Sequence, residues 1–269
     1  MAVELEFERK PKFLLDVQDS LIMIRRSTTH IIRHTDQLLG TFFQPIMFLV
    51  LFAAVFGGAL EQSLPKGVSY INFLMAGIII QTVAFGSTTT AIAVSSDLQK
   101  GIVDRFRSLP MNNLAVLTGH VVSDLARNGL STLVMIITGL AIGFRTSASP
   151  WEWLQIIGLI GLFTLAFSWL ASIIGVMAKS VEAVQWLTFI IIFPLTFASS
   201  AFTPTDNMGS VLRAFAQHQP ITQFVNALRA LLLGTPIGNY GWVSLAWGIG
   251  TLVVIVPFAS WLFRRRGAN

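Results

Sequence analysis

Long stretches of this chain carry no charged side chain, and that fact sets what it can fold into. Leu38–Leu60, Tyr70–Ser96, Trp153–Ala178, Ala183–Phe202 and Gly241–Phe263 all lack Asp, Glu, Lys and Arg. A helix needs about 20 apolar residues, each rising 1.5 Å, to cross roughly 30 Å of hydrocarbon. Backbone polar groups in hydrocarbon must pair within their own segment, so runs of this length read as spanning helices. A sixth run, Gly129–Phe144, is shorter in its charge-free part. Extending it back to Leu117 gives a full span with His120, Asp124 and Arg127 in its cytoplasmic first turns, at helical spacings where they can pair. The expected fold is an all-α integral membrane protein. Its single domain, residues 1–269, has six transmembrane helices at 38–60, 70–96, 117–144, 153–178, 183–202 and 241–263.

Composition narrows the function classes. Charged residues make up 12% and hydrophobic ones 54%, against about 25% charged in a soluble domain. A disordered chain and a cytosolic enzyme are both excluded by that balance. The net charge of +5 belongs to membrane topology and not to nucleic-acid binding, because the basic residues sit between apolar runs. Arg9, Lys10, Lys12, Arg25, Arg26, Arg33, Lys100, Arg105, Arg107, Arg127, Lys179 and Arg264–Arg266 fall on one side, 14 in all; Lys66, Arg145, Arg213 and Arg229 fall on the other. The positive-inside rule puts both termini in the cytoplasm, in agreement with an even number of spans. The first apolar run is 23 residues long and begins only at Leu38, which reads as a retained span and not as a signal peptide. With no Cys, the chain has no thiolate metal site or thiol nucleophile.

Three segments outside the spans have character of their own. In residues 1–37, Leu14, Val17, Leu21, Ile24 and Ile31 recur at helical spacing, with Asp16, Asp19, Arg26 and Arg33 on other faces; an interfacial amphipathic helix in a cytoplasmic tail is expected. Asp97–Asn113 is a charged cytoplasmic loop in which Asp104, Arg105 and Arg107 alternate with Ile102, Val103, Phe106 and Leu109. Gly101 precedes that short helical pattern and Pro110 ends it. A docking element for a soluble protein and an ordinary solvated loop both satisfy this composition. Residues 203–240 are too apolar for a solvated outer loop and too short in each half to span. An outer re-entrant helix pair is expected, the second helix starting at Pro220, where a missing amide hydrogen is harmless.

Chemical motifs are sparse. The chain contains no GxxxxGK[ST], so no phosphate cradle for burning ATP, and no HExxH. His30, His34, His120 and His218 do not form a metal set by spacing, and no catalytic constellation is expected. A membrane-embedded lipid-modifying enzyme would need acids or histidines clustered at one depth, and an ion-coupled transporter would need intramembrane charge. Gln44, Gln81, Thr88 and Gln185 are uncharged polar residues within spans, candidates for lining a pathway or for helix–helix hydrogen bonds.

The order of parts resembles the type-2 ABC transporter permeases. Lys100-Gly101-Ile102-Val103-Asp104-Arg105-Phe106-Arg107-Ser108-Leu109-Pro110-Met111 is similar to that family's cytoplasmic coupling-helix motif. Gln219-Pro220-Ile221-Thr222-Gln223-Phe224-Val225-Asn226-Ala227-Leu228-Arg229 is similar to its outer re-entrant motif. Both wordings are nearest the daunorubicin-resistance type, whose members export drugs or lipids. The resemblance implies a permease subunit of a bacterial plasma-membrane exporter. Two separate ABC ATPase subunits would bind ATP and Mg2+, and the permease itself would bind no cofactor. Its partner in the membrane would be a second permease copy or a paralogue, and no nucleic acid is involved. It further implies an ATPase contact at Asp97, Gln99, Lys100, Gly101, Asp104, Arg105, Phe106, Arg107 and Pro110, and an outer gate at Gln219, Pro220, Gln223, Phe224 and Arg229. Gln99 stands where the family often has glutamate before Lys-Gly; Asp97 is the nearest acid.

The Cys-free background makes the topology testable. Single cysteines at positions 67, 148 and 207 should react with a membrane-impermeant maleimide in intact cells, whereas cysteines at 113 and 267 should react only after permeabilisation. Reaction at 207 only after permeabilisation would break the six-span layout.

Overall fold

The computed structural model describes residues 35–61, 64, 67–101 and 113–266. Among them the chain is all-helical, with no strand: α1 (Thr35–Leu60), α2 (Tyr70–Gly86), α3 (Thr88–Gln99), α4 (Asn113–Ala141), α5 (Pro150–Met177), α6 (Val181–Phe197), α7 (Ser210–His218), α8 (Pro220–Leu233) and α9 (Tyr240–Arg266). A single turn, Thr205–Asn207, precedes α7. The expected interfacial helix lies outside the described residues, as does the 102–112 part of the cytoplasmic loop.

Five stretches are long and apolar enough to cross a membrane: Phe43–Leu60, Tyr70–Gln99, Val116–Ala141, Pro150–Met177 and Tyr240–Phe263. The remaining expected span, 183–202, is represented by α6, which has 17 residues. It ends at Phe197, and the remaining residues to Phe202 turn back on themselves. Residues 70–96, expected as one uninterrupted helix, are divided by a break at Gly86–Ser87.

Local sequence explains where these helices begin. Ser149 caps α5 in a reciprocal box: its backbone amide donates to Glu152 Oε2 at 2.6 Å, and Glu152's amide donates to Ser149 Oγ at 3.3 Å, with Pro150 in the first turn. Ser180 caps α6 by accepting from the Ala183 amide. Pro220 opens α8, and Gly234 ends it in the left-handed conformation at φ 63°.

Helix α5 is the central post, packed against α9, α3, α4, α8 and α2. Helices α2 and α8 are buried along most of their length, from Phe73 to Ala84 and from Ile221 to Val225. Phe163 of α5 meets Phe224 of α8 with ring centroids 4.9 Å apart. In contrast, α1, α6 and α9 leave large apolar side chains on their outward faces, among them Val55, Trp186, Ile190, Trp242 and Val253. That pattern suits hydrocarbon as the solvent.

Two glycines let backbones touch. A Cβ at Gly77 would fall inside contact distance of the Ala201 carbonyl, and one at Gly175 would do the same against Ala91. Gly158 faces open space. Gly77→Ala should therefore lower stability by about 1–3 kcal/mol, since only backbone can give way there. Gly158→Ala should leave it unchanged or slightly raised. Thermal unfolding of the two purified variants in detergent checks the contrast.

Candidate functional site

The outer motif folds into a network centred on Arg229. Its guanidinium donates from Nε to the Phe73 carbonyl at 3.0 Å, from one terminal nitrogen to Asn226 Oδ1 at 3.0 Å, and from the other to the Ser200 carbonyl at 2.6 Å. It also lies 3.6 Å from the centroid of the Phe73 ring. No carboxylate takes part in these contacts; three oxygens and a π face share the charge instead. The planar fork of arginine suits this division, where the point charge of lysine would not. Ser200 completes the ring: its hydroxyl donates to Asn226 Oδ1 at 2.7 Å, and its amide donates to Thr222 Oγ1 at 3.2 Å. Helix α8 is thereby fastened both to α2 and to the 198–202 turn.

Gln219, just ahead of α8, is buried and donates to the Leu195 and Ala198 carbonyls at 2.7 and 2.6 Å. Those are carbonyls at the frayed end of α6, so the side chain replaces helical partners. Gln223 donates to the Gln217 carbonyl at 2.5 Å, and Phe224 is buried against α5. The five residues of the expected outer gate thus lie on one short stretch of Gln219–Arg229, their side chains directed to backbone carbonyls and to the core. Nearby, Tyr70 donates to the Phe202 carbonyl at 3.2 Å.

At the other end, α3 closes with Lys100 as its cap and Gly101 in the left-handed region at φ 64°. Gln99 donates to Ser95 Oγ at 3.1 Å, and both Gln99 and Lys100 are exposed. Asp97 is buried; its Oδ2 lies 3.1 Å from His120 Nε2 on α4. Asp104, Arg105, Phe106, Arg107 and Pro110 lie outside the described residues.

The polar residues within spans are not gathered into one wall. Gln81 is buried in α2 and Thr88 is half-buried at the start of α3, while Gln44 on α1 and Gln185 on α6 are exposed on outward faces.

Helix α4 holds what the sequence reading underestimated. It starts at Asn113, and its apolar stretch begins at Val116, one residue before the expected Leu117. Asp124 pairs with Arg127 and accepts from Ser168 Oγ on α5; Arg127 also donates to the Gly86 carbonyl at 2.7 Å. His120 pairs with Asp97 across the bundle. The Asp124–Arg127 pair is the one that helical spacing predicts, whereas the partners on α3 and α5 lie too far away in sequence for spacing to supply.

With this geometry in place, similarity to known proteins is informative. The profile of the ABC-2 type transporter family matches residues 18–233. The chain belongs to that family. Among its relatives, the daunorubicin resistance ABC transporter permease protein DrrB1 of Streptomyces coeruleorubidus is 29% identical over 237 residues, covering 87% of this chain and 81% of the relative. The probable doxorubicin resistance ABC transporter permease protein DrrC of Mycobacterium tuberculosis is 26% identical over 251 residues, covering 91% and 88%. Nodulation protein J of Rhizobium leguminosarum bv. viciae is 24% identical over 233 residues, covering 85% and 87%. The match takes in both motifs of this ABC-2 permease. It does not favour the membrane-enzyme or ion-coupled readings.

Removing the Arg229 fork takes the donor from the buried Ser200 carbonyl, takes a second donor from the Phe73 carbonyl inside α2, and releases Asn226. Arg229→Ala should lower the permease's stability by about 2–4 kcal/mol, and Arg229→Lys should recover no more than half of that. Denaturation of the three proteins in detergent measures both steps; equal stability of all three would show that the network holds nothing.

Proposed function

We propose that this permease is the membrane half of an ATP-driven exporter in a bacterial plasma membrane. It crosses six times, with both termini in the cytoplasm and α6 as the fifth crossing. Two copies, or this chain with a paralogue, enclose the pathway, and two separate ABC ATPase subunits bind ATP and Mg2+. The substrate class is a hydrophobic drug or lipid-like molecule, taken from the cytoplasm or inner leaflet. The observation that carries the reading is the family match over residues 18–233, with the named drug-resistance permeases as relatives.

The geometry supports a division of labour. Asp97–Pro110 joins the ends of α3 and α4, so a subunit docked there would push on both helices at once. Lys100, Asp104, Arg105 and Arg107 supply charge for that contact. Gln99 and Gly101 set the turn into it, and Phe106 and Pro110 belong to the same proposed contact. The half-buried His120–Asp97 contact supports a role for Asp97 in holding the two helices together beside the contact made by its exposed neighbours. At the outer end, Gln219, Pro220, Gln223, Phe224 and Arg229 hold α8 as the gate. Exposed Gln44 and Gln185 would line the pathway between the two copies, with Gln81 and Thr88 deeper in each. ATP-driven closure of the docked subunits would move the α3–α4 ends between two arrangements.

Affinity purification of the permease from its own host, with vanadate-sensitive ATP hydrolysis assayed in the eluate, tests the reading. The double variant Arg105→Glu/Arg107→Glu should reduce the associated ATPase activity at least about tenfold, equivalent to roughly 1.4 kcal/mol of binding, at unchanged permease yield. Unchanged association together with unchanged export would remove this segment from the docking role.

A further inference from the structure

The break between α2 and α3 is built, and its construction points to movement. At Gly86–Ser87 the backbone stays helical in its angles, with Ser87 at φ −62° and ψ −19°. The hydrogen-bond ladder nevertheless slips: the Thr90 amide donates to the Ser87 carbonyl at 3.0 Å, one residue later than in a continuous helix. The Gly86 carbonyl is taken up by side chains, accepting from Arg127 at 2.7 Å and from the Thr89 hydroxyl at 2.8 Å. Sharp bends in helices occur where such groups insert into the ladder and at Gly/Ser pairs, and both conditions are met here. Gly86 is also the residue whose missing Cβ leaves room for the buried Asn128 amide of α4.

Arg127 is itself held. Asp124 pairs with it, and Ser168 of α5 donates to the other oxygen of that carboxylate. Asp124 is 1% exposed, so an ion pair has been brought into the bundle where each charge depends on the other. Below the break, α3 is tied to α4 a second time by His120 and Asp97. The cytoplasmic segment 102–112 connects those same two helices.

We propose that α3 is a lever hinged at Gly86–Ser87, and that the Asp124–Arg127 pair, anchored to α5 through Ser168, is the latch that holds the hinge in the arrangement seen here. Arg127 and Asp124 are positioning residues: they act through the Gly86 carbonyl. The source of the force on α3 rests on the exporter reading above, but the hinge and its latch do not. With 12 residues, α3 is about 18 Å long, so a bend of roughly 20° at its root carries its far end about 6 Å.

Spin labels on the Cys-free chain read this directly in the permease alone, in nanodiscs. Labels at Ser96→Cys and Val254→Cys report α3 against α9; labels at Leu133→Cys and Val254→Cys report α4 against α9 as the control. Two latch variants are compared with the parent. Arg127→Lys keeps the charge, but its ammonium sits one bond nearer the backbone than the single guanidinium nitrogen that serves both partners, so it stays with Asp124 one turn away and releases the Gly86 carbonyl. Asp124→Asn/Arg127→Met removes both charges together. The expected result in each is a second population of the 96–254 distance, displaced by about 5 Å because Ser96 lies short of the far end, with the 133–254 distance unchanged. An unchanged 96–254 distribution in Arg127→Lys overturns the hinge, as does broadening of both distances together, which would mark a loosened bundle. Should the double variant fail to fold, Arg127→Lys alone decides; should neither fold, the pair is a packing element and the proposal falls. Because no ATPase is present, the hinge can fail while the docking result stands, and the reverse.

Discussion

A backbone carbonyl left unpaired in hydrocarbon costs several kcal/mol, and three irregular points among the described residues of this bundle are arranged around that cost. Where α2 gives way to α3, the Gly86 carbonyl is covered by Arg127 and Thr89. Where α6 stops short, the Leu195 and Ala198 carbonyls are covered by Gln219. Where the chain turns back before α7, Arg229 covers Ser200. Three of the buried or half-buried polar side chains are thus spent on broken backbone. The apolar side chains fill what remains.

The two buried arginines solve the same problem with different companions. Arg127 keeps a carboxylate beside it, so charge is balanced within α4, and the same terminal nitrogen also donates to the Gly86 carbonyl at the end of α2. Arg229 is balanced by carbonyls, an amide oxygen and the Phe73 ring. A carboxylate in place of one of those carbonyls would bind more tightly, but it would fix the guanidinium to a side chain instead of to the backbones of α2 and the 198–202 turn. Arg229 therefore joins segments that Arg127 leaves separate.

The helical class and the membrane setting were legible from charge-free run length alone, because both follow from a one-dimensional requirement on composition. The apolar character of Ile221–Leu233 likewise announced a sheltered helix, and Pro220 its first turn. What stayed hidden depends on partners distant in sequence. Gln219 reads as an ordinary polar residue until the end of α6 is placed against it, and Asp124 reads as a first-turn acid until Ser168 faces it. The break in α2–α3 did leave a trace: Gly86-Ser87 followed by Thr88, Thr89 and Thr90 is a run of helix-weakening and back-bonding residues inside an apolar stretch. Mean hydropathy averages such a run away, and spacing templates do not register it.

Taken together these joints make α2–α3 the spine of the chain. Near its first residues Phe73 receives Arg229 by its carbonyl and its ring, and Gly77 lets the Ala201 backbone approach closely. At its middle Gly86 receives Arg127, and near its last residues Asp97 meets His120. The segment that resembles a coupling helix and the segment that resembles an outer gate are therefore attached to the same rod, at opposite ends, with one break between them. A rigid rod would carry displacement from one end to the other unaltered. A rod broken at Gly86–Ser87 carries it only as far as the latch on that carbonyl allows, so the hydrogen bond that stabilises the break is also the one that sets how stiffly the two ends are joined.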